Sequence, residues 1–253
     1  MNDQQRNIRL LLEYEGTAYS GWQIQTDQTT IQGRVVNAIR RVTGEDVNLI
    51  GAGRTDAGVH ALGQVANFKV SHDLEAVRFA EAINYYLPRD IRVKKSEQVD
   101  LEFHARFGAT KRRYRYLVGS DKSSLYRNLR YYHGKPVDQE LLKQAAEILL
   151  GEHDFAAFCV VASRKEDNCC TVHSASWRKI GPLLLFEITA NRFLHSMVRS
   201  LVGSMLNLAS AEPDHNPHNL TLAAFADIIL SPKEHRVTFT APAHGLYLVS
   251  VAY

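Results

Sequence analysis

Residues 51–61 read Gly-Ala-Gly-Arg-Thr-Asp-Ala-Gly-Val-His-Ala, and this stretch decides how the first half of the chain is built. Its glycines allow backbone turns that other residues disfavour, and they leave Arg54 and Asp56 projecting from a loop. An apolar run at 47–50 precedes the loop and an alternating run at 63–70 follows it, so it is predicted to join two strands. A guanidinium and a carboxylate two residues apart indicate a candidate site, although a polar hairpin turn uses the same residue types.

The loop lacks the residues of the common phosphate-binding loops. The dinucleotide-binding fingerprint requires a third glycine where Asp56 stands. The P-loop of nucleoside triphosphatases requires Gly-Lys-Ser/Thr, which is absent here, so no nucleotide cofactor is predicted. Hydrolysis at a sugar carbon normally uses two carboxyl groups, whereas this loop offers one. A single ionised aspartate beside an arginine instead suits a reaction at an anomeric carbon in which the leaving base is kept and rejoined.

The same residues resemble the catalytic signature of the tRNA pseudouridine synthase A family, through Gly-Arg-Thr-Asp-Ala-Gly-Val-His-Ala at 53–61. Further matches follow in the family's order along nearly the whole chain, at residues 19–23, 103–107, 111–116, 193–199 and 241–248. The resemblance implies an isomerase that converts uridine to pseudouridine at positions 38 to 40 of the tRNA anticodon arm. It also implies a homodimer whose subunits both touch the tRNA, with no cofactor and no metal.

Composition is compatible with this expectation. The chain has 253 residues, 45% hydrophobic and 23% charged, which is ordinary for a globular protein. No apolar run is long enough to span a bilayer and residues 1–6 contain no hydrophobic signal core, so a cytoplasmic protein without membrane contact is expected. A formal net charge of +3 permits an RNA partner without requiring one.

Residues 110–118 combine rings and cations. Tyr114 and Tyr116 are predicted to lie on one face of a strand while arginines lie on the other, an arrangement that single-stranded RNA binding uses. The alternative is that both tyrosines are core residues. The resemblance favours Tyr114 as the ring that stacks on the target uracil. The residues predicted to bind RNA are Lys111, Arg112, Arg113 and Arg115.

A second cation stands out in the apolar segment 193–209, which is predicted to be a helix. A buried Arg199 would need a partner, and Asp56 is the predicted one; an exposed arginine on the polar side of the helix is the alternative. The catalytic residues are therefore predicted to be Asp56, Arg54 and Arg199. Asp56 must be ionised whether it attacks the anomeric carbon or removes a sugar proton, and the sequence does not choose between these roles.

The fold is predicted to be α+β with two similar halves, 1–108 and 109–253. We expect an antiparallel sheet continuous across both halves, helices on one side of it, and the catalytic cleft between the halves. The pseudo-two-fold arrangement is implied by the family alone. Strands are predicted at 8–14, 47–50, 63–70, 91–93, 110–118, 171–180, 183–190 and 245–253, helices at 31–43, 74–87, 139–150, 193–209 and 220–230, and a loop at 211–219.

The cysteines predict neither a disulfide framework nor a metal site. Cys159, Cys169 and Cys170 all lie in one short region, and with His173 they include no Cys-x-x-Cys pair, so zinc is not expected. The family usually has a basic residue where Cys170 stands. The segment 163–170 is therefore expected to bind RNA differently from the corresponding segment of other family members.

Two other classes of function stay open at this point. A non-catalytic RNA-binding module would keep the basic and aromatic strand but would have no need of the lone carboxylate of Asp56. A transglycosylase would also act at an anomeric carbon, but it would release a free base or incorporate an added one.

Overall fold

The computed structural model describes residues 5–210, 220–232 and 235–253, and these form two compact units. The first unit comprises the chain up to Thr110 together with Tyr247–Tyr253, and the second comprises Lys111–Leu246. The sequence divides the chain at 108/109 instead, because the order of elements does not reveal that the last strand returns to the first unit. The predicted loop 211–219 lies outside the described residues.

The described part of the chain contains ten strands and five α-helices. The strands are β1 (Arg6–Tyr14), β2 (Ile50–Gly51), β3 (His60–Val70), β4 (Ile91–Val99), β5 (Lys111–Gly119), β6 (Tyr131–Tyr132), β7 (Gly151–Asp154), β8 (Cys169–Ile180), β9 (Leu183–Ala190) and β10 (Leu246–Ala252). The helices are α1 (Ile31–Thr43), α2 (Phe79–Tyr86), α3 (Gln139–Ile148), α4 (Met197–Leu208) and α5 (Leu222–Leu230). The predicted α+β class is confirmed. No described helix combines the length and the apolarity needed to cross a membrane.

The sheet of the first unit has the order β4-β1-β3-β10, and β2 pairs with β3 at Asn67 and Ala66. β1 is antiparallel to both β3 and β4, with Ile8 opposite Phe68. β10 runs parallel to β3, with Tyr247 opposite His60, so this pairing departs from the predicted antiparallel pattern. β3 is buried along nearly its whole length, including its polar residues Gln64 and Asn67.

Helix α1 has the predicted boundaries because its end signals are local. The Thr30 hydroxyl accepts a hydrogen bond from the backbone N–H of Gly33 at 3.2 Å and caps the first turn. Gly44 ends the helix with a φ of +76°, a left-handed conformation that glycine adopts without a Cβ penalty. The inward face predicted from the 3.6-residue period, which includes Ile31, Val35 and Ile39, is buried.

Helix α2 is shorter than predicted. Residues Ala76–Arg78 form a 3₁₀ turn, and the α-helix begins only at Phe79. The predicted face included Val77, which is 68% exposed, whereas the buried positions are Phe79 and Ile83. The helix ends before Pro88, as expected from the missing proline N–H.

The second unit has a sheet in the order β5-β9-β8-β7, with β6 parallel to β5. The predicted hairpin of β8 and β9 is confirmed, and it turns at Gly181, which has a φ of +56°. Asp138 caps α3, as predicted, by accepting hydrogen bonds from the N–H groups of Glu140 and Leu141 at 2.8 and 3.2 Å. Helices α3, α4 and α5 contact one another beside this sheet.

The start of α4 differs from the prediction by four residues. Apolar residues continue back to Phe193, so the pattern favoured a helix from there. Ser196, however, has a φ of +60°, and helical conformation begins only at Met197. A residue in the left-handed region interrupts a right-handed helix because its φ and ψ lie outside the helical range.

Candidate active site

The loop between β2 and β3 carries the two residues that the sequence singled out. Arg54 is exposed and Asp56 is half-buried, whereas the residue between them, Thr55, is only 6% exposed. Burial therefore alternates along the loop. The two charged side chains flank a single buried residue.

Thr55 ties this loop to the rest of the first unit through both its backbone and its side chain. Its carbonyl oxygen accepts a hydrogen bond from the N–H of Trp22 at 3.0 Å. Its hydroxyl lies 2.8 Å from the hydroxyl of Tyr14, the last residue of β1. Burial raises the pKa of Tyr14 to about 12, against the smaller opposing effect of its hydrogen bonds, so this phenol is neutral. The loop is thus anchored to the end of a central strand.

The preceding turn, residues 16–22, packs directly against the loop. Trp22 is 1% exposed, and a Cβ at Gly51 would come within 2.6 Å of its indole ring. Gly21 has a φ of +86°, and a Cβ there would lie 2.6 Å from the carbonyl oxygen of Thr55. Any larger residue at position 51 or 21 would clash with these neighbouring atoms, so both positions require glycine.

His60, at the start of β3, fixes the other end of the loop. It is 1% exposed, and its Nδ1 accepts a hydrogen bond from the N–H of Gly16 at 2.9 Å. Its ring stacks on that of Tyr247, with centroids 4.7 Å apart and an interplanar angle of 30°. Burial raises the pKa of Tyr247, and the charge of Glu15 acts in the same direction. The sequence left the role of this histidine open, and only its place in the quoted motif pointed to it.

Gln64 of β3 also holds the loop, through a hydrogen bond to its backbone. Gln64 is fully buried, and its side-chain N–H donates to the carbonyl oxygen of Gly53 at 2.9 Å. The same amide lies 3.5 Å from the hydroxyl of Tyr14. The sequence did not single out Gln64, because glutamine is a residue type that is mostly exposed.

In the second unit, Tyr114 lies on β5 and is 8% exposed. Its ring meets that of Phe193 edge-on, with centroids 5.1 Å apart and an interplanar angle of 85°. Tyr116 is fully buried and its hydroxyl donates to the carbonyl oxygen of Pro242 at 2.7 Å; burial raises its pKa. The predicted alternation is confirmed, since both rings lie on the buried face of β5 and Arg113 is exposed.

The four basic residues of β5 differ in their surroundings. Lys111 and Arg113 are exposed. Arg112 donates to the carbonyl oxygen of Asn191 at 2.7 Å, and Arg115 forms an ion pair with Glu187 at 2.9 Å. Partial burial raises the pKa of Glu187, but the hydrogen bond and charge of Arg115 and other nearby arginines outweigh it, and the pKa lies below its ordinary value.

Arg199 is half-buried on the first turn of α4. Its Nε donates to the carbonyl oxygen of Ala241 at 2.9 Å, and the N–H of Ala241 donates back to the carbonyl oxygen of Arg199 at 3.0 Å. The segment that follows Ala241 is thereby attached to α4. The predicted pairing of Arg199 with Asp56 stays a prediction.

The cysteines are all free thiols. Cys159 and Cys170 are buried and Cys169 is exposed. Burial raises the pKa of Cys170 to about 12, so this position, which is usually basic in the family that the sequence resembles, carries no charge here. Within residues 5–210, 220–232 and 235–253, no three His, Cys, Asp or Glu side chains are grouped so that they could hold a metal ion.

Comparison with known proteins places the chain in a family. A family model described as tRNA pseudouridine synthase matches residues 11–108 and 145–253. The chain belongs to the tRNA pseudouridine synthase family. Loop 52–59, with Arg54 and Asp56, lies within the first matched stretch, and Arg199 lies within the second.

Several relatives in this family are similar over their whole length. The tRNA pseudouridine synthase A of Acetivibrio thermocellus is 42% identical over 250 residues, which cover 98% of this chain and all of the relative. The enzyme of Caldicellulosiruptor bescii is 40% identical, over 98% of this chain and 100% of the relative. The enzyme of Chlorobium luteolum is 41% identical, over 98% of this chain and 96% of the relative. The crystal structure of the archaeal box H/ACA sRNP Nop10-Cbf5 complex is a distant match, with a TM-score of 0.39 and 13% identity over 90% of this chain and 55% of that one. The expectation of an isomerase of the pseudouridine synthase type is confirmed by the relatives.

Proposed function

We propose that this protein converts uridine to pseudouridine at positions 38 to 40 of the tRNA anticodon arm, with Asp56 as the essential carboxylate. Membership of the tRNA pseudouridine synthase family supports the reaction class. The proposal for Asp56 rests on its neighbour Thr55, which is buried and makes two hydrogen bonds. One joins its carbonyl oxygen to the N–H of Trp22 at 3.0 Å, and the other joins its hydroxyl to that of Tyr14 at 2.8 Å. This contact positions the neighbouring Asp56 on a braced loop before any RNA binds.

The reaction needs one carboxylate and consumes nothing. Asp56 either attacks the anomeric carbon or removes a sugar proton, and the bond between N1 of the uracil and the anomeric carbon breaks. The uracil then turns, and a bond forms between its C5 and the same carbon. C5 loses its proton and N1 gains one, so the product is an isomer of the substrate. No water has to be activated, which agrees with the single carboxylate of the loop.

Three further residues have proposed roles. The target base must leave the stack to reach Asp56, and Arg54, exposed on the same loop, is proposed to hold the opened RNA. Tyr114 is proposed to stack on the uracil and to take part in the last proton transfer. Arg199 is proposed to be the partner of the catalytic carboxylate.

The proposed partner is the anticodon stem-loop of tRNA, bound by a homodimer. Exposed Lys111 and Arg113 supply positive charge that phosphates would neutralise. Arg112 and Arg115, which contact Asn191 and Glu187, lie on the same strand and are proposed to add positive charge for the RNA backbone.

The test is tritium release from C5-tritiated uridine in full-length tRNA, measured with tRNA binding in parallel. The variants are D56N, Y114F and, as a matched carboxylate control, D46N, which changes an exposed aspartate whose contact is Arg40. We expect the wild type and D46N to release tritium equally, and D56N to bind tRNA but release none. Full turnover by Y114F would remove Tyr114 from proton transfer while leaving its stacking role.

Other outcomes separate the rival functions. Wild-type protein that binds tRNA without releasing tritium from any of them would make the chain a binding module. Free uracil in the medium, or incorporation of added base, would identify a transglycosylase. Release from uridines outside positions 38 to 40 would retain the chemistry and overturn the proposed target.

A further inference from the structure

Residues 119–135, which connect β5 to the region before α3, form a basic and aromatic segment. They read Gly-Ser-Asp-Lys-Ser-Ser-Leu-Tyr-Arg-Asn-Leu-Arg-Tyr-Tyr-His-Gly-Lys, with four Lys or Arg residues against a single aspartate. The segment lies between the two stretches that the family model matches, 11–108 and 145–253. The proposed catalytic residues are all outside it. It is therefore not explained by the active-site signature.

Arg130 holds the segment in a defined conformation. Its side chain is only 10% exposed and forms an ion pair with Asp121 at 2.8 Å. Its guanidinium lies 5.0 Å from the ring centroid of Tyr126. Arg130 also packs against Gly119, the last residue of β5. A Cβ at Gly119 would come within 2.9 Å of the Arg130 Nε. Glycine at 119 thus makes room for the arginine, and the arginine supports the tyrosine.

The outer part of the segment exposes rings and cations together. Tyr126 is 51% exposed and Leu125 is 82% exposed. Lys122 places its ammonium 5.6 Å from the ring centroid of Tyr132, which is 38% exposed. Arg127 is exposed and donates to the carbonyl oxygen of Ser124 at 2.6 Å. Solvent-facing rings held in place beside cations are the features with which proteins bind unpaired nucleotides, because rings stack on bases and cations meet phosphates.

We propose that the 119–135 segment binds unpaired nucleotides of the tRNA, with Tyr126 as a stacking ring and Lys122 and Arg127 as phosphate contacts. The inference rests on the proposed function, since it takes tRNA as the ligand. The positive charge of the segment favours RNA as its partner over a second copy of the chain. Two copies of the same positive surface repel each other, whereas the phosphate backbone neutralises it and releases counterions.

The experiment uses the full chain and a full-length tRNA transcript, with binding measured over a series of salt concentrations. We expect Y126A to raise Kd and KM about fivefold or more, the effect of losing one base–ring stack, while kcat at saturating tRNA is unchanged. Y126F keeps the ring and is expected to bind as the wild type does. For K122A/R127A, the slope of log K against log salt should become shallower by about 1.4 to 1.8, as two lost phosphate contacts predict.

Matched variants on other surfaces give the comparison. Y85A removes a tyrosine that is 83% exposed on α2, and K143A/K179A removes two exposed charges elsewhere in the second unit. We expect both to bind tRNA as the wild type does, and thermal melting to show that all variants are folded.

The outcomes distinguish this inference from the proposed function. Unchanged Kd, KM and salt slope in Y126A and K122A/R127A, with tritium release intact, would overturn the segment's role and leave the enzyme assignment standing. Loss of self-association in Y126A at constant tRNA affinity per protomer would make the segment an interface between copies, and the inference would be wrong. Absence of tritium release by the wild type would count against the proposed function alone, because tRNA binding is measured separately.

Discussion

Replacing Gly21 with alanine should disable the enzyme without preventing it from binding RNA. The added Cβ would lie 2.6 Å from the carbonyl oxygen of Thr55, and ordinary contact begins at 3.4 Å. The two atoms must therefore separate by about 0.8 Å, and the atom that has to give belongs to the loop that carries Asp56. A misplacement of about 1 Å in an active site lowers the rate roughly a hundredfold, so we expect kcat to fall about 10- to 100-fold.

A second glycine separates this steric effect from simple strain. Gly44 has a φ of +76°, close to the +86° of Gly21, but a Cβ there would meet nothing within 4 Å. Each substitution should destabilise the fold by about 1–2 kcal/mol, the cost of a left-handed alanine. Only G21A pushes on the catalytic loop. The difference in kcat between the two variants therefore measures the contact with Thr55.

The assay is tritium release under single-turnover conditions, with Kd for tRNA and thermal melting measured on the same preparations. We expect G44A to keep the wild-type rate and G21A to lose it, with Kd values within about threefold because all the proposed RNA contacts except Arg54 lie on β5 and in residues 119–135. If G21A turned over as fast as G44A, the position of the loop would not depend on residues 16–22. Equal losses of rate in both variants would point to general destabilisation, and the reasoning would again be refuted.

Three further predictions follow from named contacts. In a double-mutant cycle, Y14F and T55V should each destabilise the protein by about 1–2 kcal/mol in chemical unfolding, and the pair should be non-additive by about 1 kcal/mol; additive losses would contradict a shared hydrogen bond. Because burial raises the pKa of Tyr14 and Tyr247 above that of an unfolded tyrosine, the folded state holds these protons more tightly. Their stabilisation should be complete below about pH 10 and should fall by up to about 1.4 kcal/mol per pH unit per group above it. The part of the tyrosinate absorbance that is lost in Y14F and in Y247F should therefore rise together with unfolding rather than before it. If Arg199 takes part in the reaction as proposed, R199Q should lower kcat while Kd for tRNA is unchanged, and an unchanged kcat would assign Arg199 to packing alone.

The elements that the sequence predicted well are those whose signals are local. Helix α1 needed only Thr30 before it, Gly44 after it and a 3.6-residue apolar period between them. The β8–β9 hairpin needed only the turn residues Gly181 and Pro182 between two strands. In each, neighbouring residues supply both the boundary and the reason for it. Helix α4 shows the limit, since apolar residues before Ser196 imitate a helical turn that the backbone does not form.

What could not be predicted depends on residues far apart in the chain. The parallel pairing of β10 with β3 brings Tyr247 against His60, 187 positions away, and no periodicity encodes it. The side chain of the buried Asn67 hydrogen-bonds the side chain of Asn7 at 2.9 Å. Alternation assigns an asparagine at this position to solvent, but residues 103–105 lie against it. The Asn67 side-chain N–H also donates to the carbonyl oxygen of Phe103 at 3.3 Å, and its Oδ1 accepts from the N–H of Ala105 at 2.9 Å.

The same long-range contacts explain how a glycine-rich loop can hold a reactive carboxylate in place. Loop 52–59 is tied at Gly53 by Gln64, at Thr55 by Tyr14 and Trp22, and at its end by the contacts of His60. Leaving one buried polar group unpaired costs about 1–3 kcal/mol, so a conformation that breaks two of these ties should have a population of a few per cent at most. The glycines give the loop its shape, and buried polar side chains from the strands remove its freedom. Damage to any of these ties should therefore lower kcat while leaving tRNA affinity nearly unchanged, because the loop is ordered before the RNA arrives.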